Sequence, residues 1–235
     1  MGPDRVIAIL GMHRSGTSCL AGSLQAAGLE LGAVFTENPH NRKGNRESRE
    51  IMSLHEAVLA ANGCSWNAPL QTSLHWPPEL IDERRRIIAK HHRLWCWGFK
   101  DPRSLLTLEG WREDLPHLER VGTFRHPGAV AASLMRRSPR LFDRERAIAL
   151  WQEYNKRLLS EWAHDPFPLI EFGQDHDRLL GDLVRIAQQL SLPESAKVTT
   201  FFEPDLQHQR PEASDLDAST TRLYHQLIEI AGSEC

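Results

Sequence analysis

The chain has 235 residues, of which 40% are hydrophobic and 25% are charged, so it can bury a full core and has the composition of an ordinary globular protein. Its formal net charge of −3 excludes a global basic field for nucleic acid, and no apolar run approaches the roughly 20 residues of a membrane helix. Four scattered cysteines without C-x-x-C spacing and an N-terminus without a recognisable secretory signal favour the cytoplasm. We therefore predict one domain spanning 1–235, with no nucleic-acid partner and no membrane span. Oligomeric state cannot be read from the sequence.

Predicted strands alternate with predicted helices along the chain. Short apolar runs between turn or charged residues predict strands at 5–10, 94–100, 119–125 and 168–172. Periodicity and boundary residues predict helical segments at 15–27, 47–61, 77–92, 104–115, 129–137, 143–163, 175–190 and 214–231. This alternation predicts an α/β fold in which a parallel sheet carries helices on both faces. The run Arg84-Arg85-Arg86 is interpreted as a solvated helix face.

The segment between the first strand and the first helix is the most informative. Residues 11–18 read Gly-Met-His-Arg-Ser-Gly-Thr-Ser, a glycine-bounded loop of the kind that presents backbone N–H groups and a helix N-terminus to a phosphate. The spacing fits G-x-x-x-x-G-K-[ST], except that Thr17 stands where that motif has lysine. Because the lysine reaches the β/γ-phosphates of a triphosphate, we expect a phosphorylated nucleotide other than ATP.

The ends of the predicted strands indicate where the ligand binds. In open parallel sheets, ligands lie outside the carboxyl ends of the strands. Two of the four predicted strands end in a cationic residue, Lys100 and Arg125. The segments expected to surround the crevice are 11–18, 100–103, 125–127 and 171–173.

Three segments resemble the sulfotransferases that use 3′-phosphoadenosine 5′-phosphosulfate (PAPS). Residues 11–18 resemble the family's 5′-phosphosulfate loop, and Lys100-Asp-Pro-Arg resembles the lysine-bearing strand end of its tyrosylprotein and bacterial branches. Ser133 follows Arg125 by eight residues, which resembles the 3′-phosphate motif. With the loop at 36–51, the resemblance covers most of 5–175. It implies a P-loop-type α/β domain that transfers a sulfuryl group from PAPS to an acceptor hydroxyl and releases 3′-phosphoadenosine 5′-phosphate (PAP).

PAPS carries two separated phosphate groups, so the chain needs two anion sites. For the 5′-phosphosulfate we predict the backbone amides of Arg14, Ser15, Gly16, Thr17 and Ser18, together with the hydroxyls of Thr17 and Ser18. For the 3′-phosphate we predict the donor fork of Arg125, with Ser133 two turns into the next helix and Arg137 on the same helix face. The contact of Arg137 with the nucleotide is implied by the resemblance alone.

Adenine contacts are not assigned. The glycine-rich G-x-x-G-x-x-K segment found near the C-terminus of many family members is missing. The segment 205–210, which carries cationic side chains, is a substitute for this glycine-rich segment. Phe172 stands where some relatives have tyrosine.

The catalytic predictions are Glu47, Lys100 and Arg14. Lys100 and Arg14 are expected to stabilise negative charge on the sulfuryl and bridging oxygens. The segment 37–47 resembles a bacterial pattern, Asn-Pro…Lys-Gly-aromatic-aromatic-Glu, that puts Glu47 at the position of the proton acceptor, although Asn45 and Arg46 replace the aromatics.

Glu47 has an alternative role and a competitor. A glutamate at a helix start can instead complement the helix dipole, and His13 is the competing base. We expect no metal, because a single phosphosulfate lacks the β/γ pair that magnesium bridges in kinases.

Two other functions stay open, a P-loop nucleotide kinase or phosphotransferase and a non-catalytic PAP-binding protein of sulfotransferase-like fold. The loops 29–46, 64–76 and 138–143 are expected to line the acceptor side. They offer four apolar or aromatic side chains, Trp66, Trp76, Leu141 and Phe142. A small molecule, a carbohydrate or a peptide hydroxyl would each be compatible as acceptor.

Overall fold

The computed structural model describes residues 3–37, 44–202 and 216–232. The strands in this part of the chain are β1 (Arg5–Leu10), β2 (Cys96–Lys100), β3 (Glu119–Arg125) and β4 (Leu169–Phe172). The helices are α1 (Thr17–Ala26), α2 (Arg49–Ala61), α3 (Pro78–Lys90), α4 (Ser104–Asp114), α5 (Pro127–Arg137), α6 (Arg144–His164), α7 (His176–Gln189) and α8 (Ala218–Gly232). A 3₁₀ segment, Ser195–Phe201, lies between α7 and α8.

The sheet has the order β2-β1-β3-β4, and every pairing is parallel. Ile9 of the central strand pairs with Lys100 on one side and with Val121 on the other. The carboxyl ends of β1, β2 and β3 therefore lie side by side, which brings the loop after β1 between Lys100 and Arg125. The predicted α/β fold with a parallel sheet is confirmed.

Alternate residues of each strand supply two hydrophobic cores. Ile7 and Ile9 pack with buried residues of α1 and α7 on one face of the sheet. Ala8 and Leu10 pack with helices from α2 to α6 and with α8 on the other face. Helices thus cover both faces, which explains why the strands read as nearly continuous apolar runs. No helix within the described residues is both long and apolar enough to cross a bilayer.

The interpretation of Arg84 as a solvated residue is wrong. Its side chain is fully buried, pairs with Asp114 at 2.6 Å and lies over the ring of Trp76 at 4.9 Å. Arg85 and Arg86 are exposed, as predicted. The cause is the packing of α3 on the end of α4, where Asp114 supplies the carboxylate that a buried cation requires. Trp76 is likewise a core residue.

Candidate active site

Residues 11–18, called the phosphate-binding loop after their predicted role, are fixed by two glycines with positive φ. A Cβ on Gly11 (φ 148°) would lie 2.4 Å from the carbonyl oxygen of Thr123, and a Cβ on Gly16 (φ 87°) would lie 2.2 Å from the ring of Phe172. Only glycine fits both the backbone and the space at these positions. The hydroxyl of Thr123 also donates to the carbonyl oxygen of Ser15 at 2.9 Å, which ties the loop to β3.

The loop ends in the N-terminus of α1, with Gly16 as its N-cap residue. The first N–H groups of a helix have no intrahelical carbonyl partner and lie at the positive end of the helix dipole, so this end favours an anion. The hydroxyl of Ser15 is buried and finds no hydrogen-bond partner among the described residues. Both features fit a phosphate or phosphosulfate group.

Arg14 connects this loop to the predicted 3′-phosphate site. Its Nε donates to the hydroxyl oxygen of Ser133 at 2.8 Å, which joins the loop to α5. Arg125, the last residue of β3, directs Nη1 toward the Arg14 carbonyl oxygen at 3.5 Å. Arg14 is therefore in one cluster with Arg125 and Ser133, from which more than a hundred sequence positions separate it.

The electrostatics of this cluster favour an anionic ligand. Burial, and secondarily the nearby charges of Arg14 and Arg136, lower the pKa of Arg125 to about 10. Burial also lowers the pKa of Arg14, and the charges of Arg137 and Arg136 add to that effect. Neighbouring cations that destabilise one another's charge are stabilised when an anion binds between them.

Lys100 and Glu47 form an ion pair across the cleft. Nζ of Lys100 donates to Oε1 of Glu47 at 2.6 Å, and the hydroxyl of Ser18 lies 3.3 Å from the same nitrogen. The lysine side chain is 1% exposed and the glutamate side chain 10%. Burial lowers the pKa of Lys100, whereas the carboxylate of Glu47 opposes that shift. The lysine charge therefore lies between the phosphate-binding loop and the only carboxylate among the described residues that line this cleft.

Glu47 precedes α2 by two residues, because the helix begins at Arg49 with Ser48 as its N-cap. The predicted helix start at residue 47 is therefore early by two residues. Its carboxylate pairs with Lys100, and its alternative role as a helix-dipole partner stays a prediction.

These groups surround a cleft of about 240 Å³. Six of the predicted site residues line it: Arg14, Thr17, Ser18, Glu47, Lys100 and Arg137. The other predicted residues, Ser15, Gly16, Arg125 and Ser133, lie in the adjoining loop and arginine cluster rather than in the cleft lining. Each loop expected on the acceptor side contributes one residue to the lining, namely Asn45, Trp66 and Ser138.

The four side chains expected on the acceptor side have different surroundings, and Trp76 lies in the core beside Arg84. Trp66 lines the cleft, and the buried ring of Phe142 lies behind it at 5.8 Å. Leu141 is exposed outside the cleft lining. The carbonyl oxygen of Trp66 accepts a hydrogen bond from the hydroxyl of Tyr154 at 2.9 Å, so α6 holds the loop 64–76 in place.

His13 lies in the cleft wall, with its ring 4.4 Å from the ring of Trp66. Burial, and secondarily the charge of Arg103, lower the pKa of His13 to about 3. Its imidazole is therefore neutral at pH 7 and only weakly basic, which argues against His13 as the main proton acceptor.

A buried polar network behind the cleft was missed by sequence reasoning. Nδ1 of His55 lies 2.9 Å from Oδ2 of Asp101, and Nε1 of Trp111 donates to Nε2 of His55 at 2.8 Å. Because an indole N–H can only donate, Nε2 accepts and Nδ1–H donates to Asp101. Asp101 also accepts from the guanidinium of Arg103 at 2.9 Å.

This network fixes the strand end next to Lys100. Burial alone would raise the pKa of Asp101, but the hydrogen bond from His55 and the charge of Arg103 lower it well below its usual range. The sequence carries one sign that His55 is buried. It follows Ile51 by four residues and so lies on the apolar face of α2.

Some predicted contacts lie elsewhere. The adenine segment 205–210 and residues 38–43 of the segment that resembles the bacterial pattern fall outside the described residues. Phe172 packs on Gly16, with the guanidinium of Arg125 5.5 Å from its ring centroid, so it lies between the two predicted phosphate sites. In the described part of the chain no group of three or more His, Cys, Asp or Glu side chains could hold a metal ion.

No protein-family model matches the sequence, and no curated protein matches it significantly. Among solved structures, the sulfotransferase domain from the curacin biosynthetic pathway is 15% identical with a TM-score of 0.50, over 97% of this chain and 99% of that domain. The sulfotransferase domain of the Synechococcus PCC 7002 olefin synthase is 19% identical with a TM-score of 0.49, over 100% and 96%. Retinol dehydratase, solved with androsterone and the inactive cofactor PAP, is 13% identical with a TM-score of 0.43, over 97% and 80%. The similarity to the curacin domain shows that the chain has the sulfotransferase fold.

Proposed function

We propose that this chain is a PAPS-dependent sulfotransferase that transfers the sulfuryl group to an acceptor hydroxyl. The observation that carries the proposal is the pairing of two anion sites at one sheet edge. The loop that precedes α1 is joined to the Arg125 cluster through the 2.8 Å bond between Arg14 and Ser133. A nucleotide with a 3′-phosphate and a 5′-phosphosulfate has the charge distribution that such a pair of sites selects.

In this proposal the loop and the arginine cluster hold PAPS. The amides at the start of α1, with the hydroxyls of Ser15, Thr17 and Ser18, bind the 5′-phosphosulfate. Arg125 and Ser133 bind the 3′-phosphate, with Arg137 at the rim. The absence of lysine at position 17 fits a phosphosulfate better than a triphosphate.

The chemistry is assigned to Glu47, Lys100 and Arg14, of which the first two are in contact. PAPS supplies the sulfuryl group for an in-line displacement. Glu47 accepts the proton of the acceptor hydroxyl, whose oxygen forms the new bond to sulfur while the bond from sulfur to the phosphate oxygen breaks. Lys100 and Arg14 donate hydrogen bonds to the oxygens on which negative charge develops. Lys100 is suited to this role because its ammonium contacts both Glu47 and Ser18.

The remaining parts of the proposal concern partners and location. The acceptor is a small-molecule, carbohydrate or peptide hydroxyl that enters beside Trp66, in line with the position of this ring in the cleft. The reaction needs no metal. We place the enzyme in the cytoplasm, which accords with the lack of a disulfide among the three cysteines that the structure describes.

Acceptor-dependent formation of PAP from PAPS tests the proposal. The protein is incubated with ³⁵S-labelled PAPS and a panel of phenols, saccharides and hydroxyl-containing peptides without magnesium. Arg86→Ala, which removes an exposed charge on α3, serves as the matched control. We expect labelled product and PAP in equal amounts, with the control as active as the wild type.

Two results would contradict the proposal. PAP binding without a sulfated product across the panel would favour a non-catalytic PAP-binding protein. Magnesium-dependent turnover of ATP would favour a P-loop kinase.

A further inference from the structure

Two arginine–phenylalanine contacts flank Glu47. The guanidinium carbon of Arg46 lies 4.9 Å from the ring centroid of Phe201, and that of Arg49 lies 5.5 Å from the ring centroid of Phe35. Guanidinium groups within about 6 Å of a ring centroid are attracted to the ring face. The chain is therefore held on both sides of the proposed base.

The backbone around Glu47 is held as well. The N–H of Arg46 donates to the carbonyl oxygen of Phe35 at 3.0 Å, and the N–H of Phe35 donates to the carbonyl oxygen of Glu47 at 3.0 Å. Arg46 has a φ of 57°, a left-handed conformation that residues other than glycine rarely adopt. Such a conformation persists only where the surroundings fix it. The contacts of the Arg46 side chain therefore help to fix the backbone position of the next residue, Glu47.

Phe201 connects this contact to the phosphate-binding helix. Its ring packs directly on Gly22 of α1, where a Cβ would lie 2.3 Å from the ring carbons. Because α1 begins at the phosphate-binding loop, the base and the loop are supported by the same ring. Arg46 is half-buried, and this burial lowers the pKa of its guanidinium.

We propose that Arg46 is a positioning residue that holds the carboxylate of Glu47 against Lys100 by stacking on Phe201. The inference rests on the proposed function, since it assigns this task to the base of that reaction. It also gives a physical reason for the departure from the bacterial pattern at residues 45–46. The planar guanidinium of Arg46 packs on a ring at a position where the pattern has an aromatic side chain.

The test combines three variants with two measurements. The variants are Arg46→Ala, Phe201→Leu and the double variant, with Arg86→Ala as the control for loss of one positive charge. The first measurement is amide hydrogen exchange of peptides covering 44–50 in the nucleotide-free protein, which requires no activity. The second is a comparison of kcat for sulfuryl transfer with the Kd for PAP.

We expect Arg46→Ala to increase exchange in 44–50 severalfold and to lower kcat about tenfold, because a displaced catalytic group loses much of its effect. The Kd for PAP is expected to stay within about twofold, since Arg46 is outside both predicted phosphate sites and a local shift of the base leaves their contacts in place. Phe201→Leu is expected to have the same two effects, and the double variant no larger ones than Phe201→Leu alone, because Arg46→Ala then has no further contact with this ring to remove.

Unchanged exchange in 44–50 for Arg46→Ala would overturn the inference, whether or not the protein transfers a sulfuryl group. Increased exchange with an unaltered kcat would also overturn it. If the wild-type protein turns over no acceptor, the proposed function fails, and the exchange result alone then decides whether Arg46 fixes Glu47.

Discussion

The ammonium of Lys100 and the carboxylate of Glu47 lie 2.6 Å apart in the cleft, although 53 positions separate them in the chain. Lys100 is the last residue of β2, and Glu47 lies just before α2. The proposed transfer needs a charge-stabilising cation and a proton acceptor beside the phosphate-binding loop, and these are the roles that we propose for Lys100 and Glu47.

Glu47→Gln should abolish most of the turnover and leave nucleotide binding intact. The amide keeps the size of the side chain and an oxygen for Lys100, but it cannot accept the proton. General-base catalysis contributes about 10²- to 10⁴-fold, so kcat should fall by about that factor. The check is kcat for sulfuryl transfer beside the Kd for PAP, and an unchanged kcat would assign the base elsewhere.

Lys100→Met should lower both activity and stability. The change leaves the Glu47 carboxylate in a buried position without its cation, which costs about 3 kcal/mol of unfolding free energy. The double variant Lys100→Met/Glu47→Gln should recover much of that stability and none of the activity. Urea unfolding of the two variants checks this, and equal stability would contradict the coupling of the pair.

Arg125→Ala should remove the discrimination between PAP and AMP. A lost charge-assisted hydrogen bond to phosphate costs about 1.5–3 kcal/mol, so PAP should bind about 10- to 100-fold more weakly. AMP has no 3′-phosphate, and its affinity should stay constant. The Kd values of both nucleotides for the variant and for Arg86→Ala provide the check; a parallel loss of AMP affinity would show that Arg125 serves the loop rather than a 3′-phosphate.

His13 should make the protein acid-sensitive. Burial lowers its pKa from 6.5 to about 3, so between these values the unfolded chain binds a proton that the folded protein does not. Unfolding free energy therefore falls as the pH falls below 6.5, by up to about 1.4 kcal/mol per pH unit from this group.

The variant His13→Gln removes that contribution. Its stability relative to the wild type should rise as the pH falls from 6.5 toward 4, and urea unfolding at pH 7, 5.5 and 4.5 measures the difference. A difference that stays constant over this range would contradict a neutral, buried imidazole.

Local sequence predicted the strands well, since the predicted bounds of β1 and β3 are the observed ones. Predicted helix ends differ from the observed ends by up to a few residues, for example at α1, which begins at Thr17 rather than at residue 15. The sheet order was not predicted, because alternation of strands and helices indicates parallel pairing but not which strand is central.

The residues predicted from strand ends lie at one edge of the sheet, whereas buried polar residues on helices were not recognised. Lys100 and Arg125 followed from the rule about carboxyl ends. His55 and Arg84 were not recognised, because each is a polar residue on a helix whose carboxylate partner is supplied by a distant segment. Such pairs are determined by tertiary packing, which the sequence pattern of one helix does not contain.

Isothermal titration of the purified protein with PAP, and separately with AMP and ATP, in the absence of magnesium is the decisive test of the two-phosphate site. We expect PAP to bind with micromolar affinity and AMP to bind at least about tenfold more weakly, because AMP engages only the loop at α1 and leaves the Arg125 cluster without its phosphate. Equal affinity for PAP and AMP, a preference for ATP, or no binding of PAP would contradict the two-phosphate site and with it the proposed sulfotransferase.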